Sequence, residues 1–159
     1  MNAKIRWAKP DEGWIIQTIL ESRQVPLATW ADWSKPIGPF WLILETDIPI
    51  GCINVNPGHP VGRLEWLVVR KNIPRRMYAC AIRDLGFAGV EILRQQGSQM
   101  IACQIVEHEQ GWQKVLQRRG FIQTEPGALY VGRLHNGNGD SHSNGGSISR
   151  IHRSCNVTR

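Results

Sequence analysis

Residues Arg63–Gly86 read RLEWLVVRKNIPRRMYACAIRDLG, and the fold turns on how this stretch divides. Its first seven residues, Arg63–Val69, are nearly continuous in apolar side chains, as in a strand buried on both faces of a sheet. Pro74 then suits the first turn of a helix. The helix is predicted to run to about Gln96, with Gly97 capping its end. Gly86 and Gly89 lie inside it at a cost of about 1 kcal/mol each against alanine, which points to close backbone packing on a sheet. Lys71, Arg75 and Arg76 crowd the N-terminal end, where the macrodipole is already positive and each cation is unfavourable by up to about 1 kcal/mol. An anion held on the open N–H groups of the first turn would reverse that sign. Strand-to-helix turns that hold anions usually contain glycine, and this one has none before Gly86.

Working outward, residues 4–8 (KIRWA) read as a short first strand. Pro10-Asp11 opens a helix, with Asp11 as the expected N-cap and Trp14, Ile15, Ile19 and Leu20 as its apolar face. From Val25 to Pro39 three prolines break the pattern into a loop or short irregular helix, placed to line a cleft. Phe40–Thr46 and Ile50–Val55 form a hairpin around Asp47-Ile48-Pro49. Met100–Val106 is a further strand, Gln110–Arg119 a shorter helix ending at Gly120, and Phe121–Thr124 and Ala128–Leu134 close the domain around Glu125-Pro126-Gly127. The order β-α-β-β-β-α-β-α-β-β is that of an α/β domain with a mixed sheet.

A chain of 159 residues suffices for one domain. Five of the seven tryptophans fall in or next to the first quarter of the chain, so large side chains are expected to dominate the core there. No apolar run reaches membrane-spanning length, and the start MNAKIRWAKPDEG has no signal-peptide stretch, so a cytoplasmic location is expected. The four cysteines (Cys52, Cys80, Cys103, Cys155) lack CxxC spacing and lie mostly in apolar runs, which favours reduced, buried thiols. The formal charge of +6 favours anionic partners without choosing among them. Residues 135–159 form a low-complexity basic tail with almost no apolar side chains, and are not expected to fold alone.

Three stretches carry a resemblance to the GNAT superfamily of acyl-CoA-dependent N-acyltransferases, covering roughly residues 4–134. LEWLVV resembles the family's fourth strand, where an acidic residue stands four positions before a strand-ending valine, here Glu65 and Val69. RRMYACA stands at the pyrophosphate loop, an Arg or Gln followed by x-x-Gly-x-Gly/Ala, in the register Arg76-Met77-Tyr78-Ala79-Cys80-Ala81. GWQKVLQRRGF resembles the late helix that ends in Gly-Phe, here Gly120-Phe121. The implied fold is a mixed, mostly antiparallel central sheet flanked by helices, as a GNAT-like domain over 1–134 with 135–159 as tail.

The resemblance also implies acetyl-CoA or another acyl-CoA as acyl donor and an amine of unknown identity as acceptor. Pantetheine would bond the backbone at Leu67, Val68 and Val69, and the pyrophosphate would sit on Arg75, Arg76, Met77, Tyr78, Ala79, Cys80 and Ala81. Glu65 would be the base; the alternative is an outward carboxylate paired with Arg63 or another cation. Simple alternation puts Glu65 on the face of Arg63, Leu67 and Val69. The sequence departs from the family in three places. Ala79 stands where glycine would let backbone approach a phosphate, with bulky Tyr78 before it. Glu109 and Leu116 replace an Asn and a Tyr, and leucine has no proton for a leaving thiolate.

A second reading keeps the fold and drops the chemistry: such degraded domains resemble small internal virion proteins of short-tailed phages. The basic tail, Trp30 and Trp33 would then contact protein neighbours or nucleic acid. His108 is a cleft-mouth histidine or a solvated loop one. His152 and Cys155 have no second pair to make a zinc site, so no metal is expected.

Overall fold

The computed structural model describes residues 3–104, 110–124 and 129–134. The elements are β1 (Lys4–Trp7), α1 (Gly13–Glu21), α2 (Leu27–Trp30), β2 (Trp41–Glu45), β3 (Pro49–Asn56), β4 (Val61–Val69), α3 (Arg75–Gln95), β5 (Met100–Gln104), α4 (Gln110–Arg118), β6 (Ile122–Gln123) and β7 (Leu129–Arg133). One seven-stranded sheet runs β1-β2-β3-β4-β5-β7-β6. Among the described residues only β4 and β5 pair parallel, joined by α3 as the crossover a parallel pair requires. The mostly antiparallel mixed sheet is the one expected. The tail 135–159, the Glu125-Pro126-Gly127 turn, Ile105-Val106, His108 and Glu109 lie outside the described residues.

The sheet is covered on both faces. On one, Leu42, Leu44, Ile53, Val55, Leu64 and Val69 pack against Ile82, Leu85 and Leu93 of α3. On the other, Trp41, Ile43 and Cys52 pack against Ile15, Ile16, Ile19 and Leu20 of α1 and Ala28 of α2. Alternation within β2 does this sorting: odd residues go to α1, even ones to α3.

Several local expectations are corrected. The helix after Pro10 begins at Gly13 and Asp11 does not cap it. Instead the Glu12 carboxylate accepts the Lys9 backbone N–H (2.8 Å) and two bonds from the Arg6 guanidinium (2.6 and 3.0 Å). The first helical residue is tightly enclosed: a Cβ on Gly13 would lie 3.0 Å from Ile37 and 3.1 Å from the Trp33 carbonyl. Nor do tryptophans dominate the early core: Trp14 is 63% and Trp30 75% exposed, and Trp7 is exposed as well. Ile16, not Trp14, completes the buried face of α1.

α3 starts after Pro74 and ends as expected, with Gly97 at φ +83° and Ser98 N–H returning to the Leu93 carbonyl (3.0 Å). Its two glycines differ. A Cβ on Gly89 would lie 2.7 Å from Leu64 Cδ2, so this glycine does mark close packing on the sheet; at Gly86 nothing lies within 4 Å.

Candidate active site

The site is shaped by a defect in β4. Trp66 has φ +53°, costly for a bulky residue, and the β3–β4 register shifts there: Cys52 faces Val68, but Asn54 faces Glu65. Two residues of β4, Trp66 and Leu67, thus oppose the single Ile53, which is a bulge. The same place ends the β4–β5 pairing, which runs from Val61↔Met100 to Leu64↔Cys103. From Glu65 to Val69, β4 has no β5 partner among the described residues, and this unpaired edge beyond the last β4–β5 pair is the fork referred to below. Glu65 is the first residue past the join.

The bulge also overturns simple alternation. Trp41 opposes Asn54, and Asn54 opposes Glu65. Directly opposed residues share a face, so Glu65 lies on the α1 face with Trp41. Arg63, opposite Asn56, lies on that face too. Leu67 and Val69 pack on the α3 side, opposite to the expectation.

Glu65 is half-buried, and its Oε2 accepts a bond from Asn56 Nδ2 (3.2 Å). Asn56 Nδ2 also donates to Asn54 Oδ1, linking the three side chains. Among the described residues Glu65 makes no ion pair, with Arg63 or any other cation. Trp33 stands edge-on to Trp41 at 6.3 Å between centroids and is anchored by Nε1 to the Ala28 carbonyl (3.0 Å). Val25, Leu27, Trp33 and Ile37 of the stretch from Val25 to Pro39 pack on this face.

At the open end of the fork, Arg70 N–H bonds the Ile50 carbonyl (2.8 Å). Antiparallel bonded and non-bonded pairs alternate, so Val69, one residue back, turns its N–H and carbonyl away from β3 and into the fork. That carbonyl accepts Arg23 Nε at 2.8 Å. The Arg23 guanidinium also lies over the Tyr78 ring, 4.9 Å from its centroid. The bulky residue of the RRMYACA stretch is thus the platform for an arginine.

Residues Arg75 to Ala81 are the first two turns of α3 rather than a loop. Tyr78 N–H already bonds the Pro74 carbonyl (2.9 Å). The N–H groups of Ala79, Cys80 and Ala81 face carbonyls four residues back, so those of Arg75, Arg76 and Met77 are the helix's unbonded donors. Lys71, Arg75 and Arg76 are exposed around them. In the preceding turn, Arg70 Nε is buried without a hydrogen-bond partner. Orphan donors on the helix start and an orphan guanidinium nitrogen fit a polyanion such as the coenzyme A pyrophosphate. They would hold it by first-turn N–H groups rather than by the Ala79–Ala81 backbone.

Leu116, in place of the family's tyrosine, packs against the α3-side core. Among the described residues no three His, Cys, Asp or Glu side chains stand where they would hold a metal. No helix among them is long and apolar enough to cross a membrane. Sequence reasoning missed Asn54, Asn56 and Arg23. The asparagines had a visible signal, being two polar residues two apart in the otherwise apolar IGCINVN.

No family model and no curated protein sequence matches the chain. Solved structures do. The PaiA N-acetyltransferase of Thermoplasma acidophilum in complex with coenzyme A has a TM-score of 0.64 at 12% identity, over 84% of this chain and 100% of that one. A GNAT-family acetyltransferase of Staphylococcus aureus gives 0.63 at 10%, over 84% and 100%. The N-acetylglutamate synthase of Neisseria gonorrhoeae, complexed with coenzyme A and L-arginine, gives 0.63 at 16%; the match covers 84% of this chain but only 34% of that longer one. None of these comparisons supports the phage virion reading. The expected fold therefore holds: this chain has the fold of the GNAT acetyltransferases.

Proposed function

We propose that the protein is an N-acyltransferase that moves an acyl group from acyl-CoA to an amine. The observation that carries this reading is the fork: an unpaired β4 edge with a half-buried carboxylate, Glu65, at its closed end. The likeness in fold to proteins solved with coenzyme A supports it. Pantetheine would lie along β4 as an added strand, with the Val69 N–H open to it and the Val69 carbonyl reached by displacing Arg23. Among Leu67–Val69, Val68 is the residue whose backbone is turned to β3, by the same alternation. The phosphates would meet Arg70, Arg75 and Arg76 and the first-turn N–H groups of α3.

Acyl-CoA would supply the acyl group as a thioester. Glu65 would take a proton from the acceptor ammonium; the freed amine forms the C–N bond as the C–S bond breaks, and the proton then shed by the new amide nitrogen passes through water to the departing thiolate. Leu116 cannot serve as the acid, so positioning carries much of the rate. The test is release of free coenzyme A thiol with a panel of amines. Glu65→Gln should lower kcat/KM by about 100-fold or more, while Arg63→Gln changes it little. Unchanged turnover in Glu65→Gln removes Glu65 from the role of base.

A further inference from the structure

We propose that Arg23 is a latch on the unpaired edge of β4: its side chain closes the Val69 carbonyl in the ligand-free chain, and is released when an extended, amide-bearing ligand takes that carbonyl. The latch regulates the coenzyme site and so rests on the acyltransferase reading for its ligand. Its closed state is a property of the chain alone.

Three contacts meet where the turn after α1 reaches the end of β4. Arg23 Nε donates to the Val69 carbonyl at 2.8 Å. The same guanidinium lies 4.9 Å from the centroid of the Tyr78 ring, in the first turn of α3. Beside them, the Lys71 N–H reaches Ser22 Oγ at 3.4 Å. The backbone of the turn is held without the Arg23 side chain: Ser22 N–H bonds the Thr18 carbonyl (3.2 Å), and the N–H groups of Arg23 and Val25 both bond the Leu20 carbonyl (3.1 Å each). The turn is therefore a fixed base, and the side chain is the part that moves.

Arg23 makes no ion pair among the described residues, and it remains exposed. A guanidinium held by one carbonyl and one ring face, with water beside it, is released at small cost, because it stays hydrated in either position. The carbonyl has fewer choices. Val69 is only 1% exposed and has no β5 partner among the described residues, so its oxygen needs a donor from the protein or from a ligand. Arg23 supplies that donor in the ligand-free chain. An amide N–H arriving along the edge supplies the same bond, so the exchange conserves the carbonyl's hydrogen bond. The latch also has a sign that an arginine serving the phosphates would not have. Arg23→Met removes a cation from a region that already holds Lys71, Arg75 and Arg76, and by charge alone it should weaken the binding of a polyanion. Removing a latch does the opposite, because a closed fraction lowers the apparent affinity of the open form.

The experiment is a calorimetric titration of the full chain and of Arg23→Met with acetyl-CoA and with ADP, which carries the diphosphate without the pantetheine arm. The arginine Nε–H signals are followed on the same samples by ¹⁵N NMR, with that of Arg23 assigned by its loss in the variant. Arg23→Met is expected to bind acetyl-CoA about threefold to tenfold more tightly and ADP no more tightly. In the parent, the Arg23 Nε–H should be protected from exchange with water, lose that protection when acetyl-CoA binds, and keep it with ADP. Acetyl-CoA affinity that is unchanged or weaker in Arg23→Met, an equal gain for ADP, or protection that persists at saturating acetyl-CoA overturns the latch and leaves the acyltransferase reading standing. An Arg23 Nε–H that exchanges as fast as free arginine in the ligand-free chain overturns the closed state directly. If neither chain binds acetyl-CoA, the acyltransferase reading is overturned and the release step falls with it.

Discussion

Two glycines three residues apart in α3 should respond to the same substitution with opposite signs. In Gly89→Ala the new methyl would lie 2.7 Å from Leu64 Cδ2, 3.4 Å from Val55 Cγ2 and 3.5 Å from Ile53 Cδ1. Carbon atoms in contact stand about 3.5–4.0 Å apart, so Leu64 must move by about 1 Å. Leu64 is buried against Val55 and the α3 face, which leaves it little room. Overpacking of this kind costs about 1–3 kcal/mol, against a gain in helix propensity of about 1 kcal/mol. The net is a loss of about 1 kcal/mol. In Gly86→Ala nothing lies within 4 Å of the new methyl, so the gain stands alone, at about 0.5–1 kcal/mol. Urea denaturation should show the two midpoints moving apart at constant m-value, a gap of about 2 kcal/mol. Adding Leu64→Val to Gly89→Ala removes the clashing methyl and should recover part of the loss. If Gly89→Ala stabilises as much as Gly86→Ala, the close packing of α3 on β3 and β4 is wrong.

The hydrogen bond from Arg6 chiefly holds the Glu12 carboxyl below the usual glutamate value, against its burial. A depressed folded value means stability that is complete above that usual value and lost as pH falls through the folded one. Glu12→Gln should therefore cost about 1–2 kcal/mol at neutral pH, and the difference from the parent should shrink as the solution is acidified well below pH 4.5; a difference constant with pH contradicts the pair. Burial pushes the Cys52 thiol upward and the Cys103 thiol up to about 12. In a Cys155→Ser background, half-buried Cys80 should react first with a disulfide reagent, Cys52 and Cys103 only on unfolding; equal rates refute the buried placement. A double-mutant cycle of Arg23→Met and Tyr78→Leu should give a coupling of about 0.5–1 kcal/mol, and a zero coupling would mean the guanidinium does not sit on that ring.

The strands and α3 were legible because long apolar runs, Pro74 and Gly97 act locally, and a strand buried on both faces announces itself by composition. The bulge at Trp66 was not. A tryptophan gives no sign of positive φ, and the alternation that misplaced Leu67 and Val69 holds only while a strand is regular. The exposed Trp14 and Trp30 could not be told from core by type, since large aromatic residues serve both settings. Glu65 was singled out from its place in the strand, whereas its hydrogen bond from Asn56 depends on the β3–β4 register. Arg23 meets Val69 across 46 residues of chain, a contact that no local pattern encodes. In the RRMYACA stretch, the arginine stacked on Tyr78 could be seen only in the tertiary structure.

The central claim is that the fork between β4 and β5 receives an acyl-CoA whose phosphates meet the start of α3. Calorimetric titration of the full chain with acetyl-CoA tests it most directly. The account predicts saturable one-to-one binding at about tens of micromolar, weakened about tenfold or more when Arg76→Glu reverses a charge at the helix start. Absence of binding up to about millimolar acetyl-CoA, or binding that is indifferent to Arg76→Glu, would contradict it.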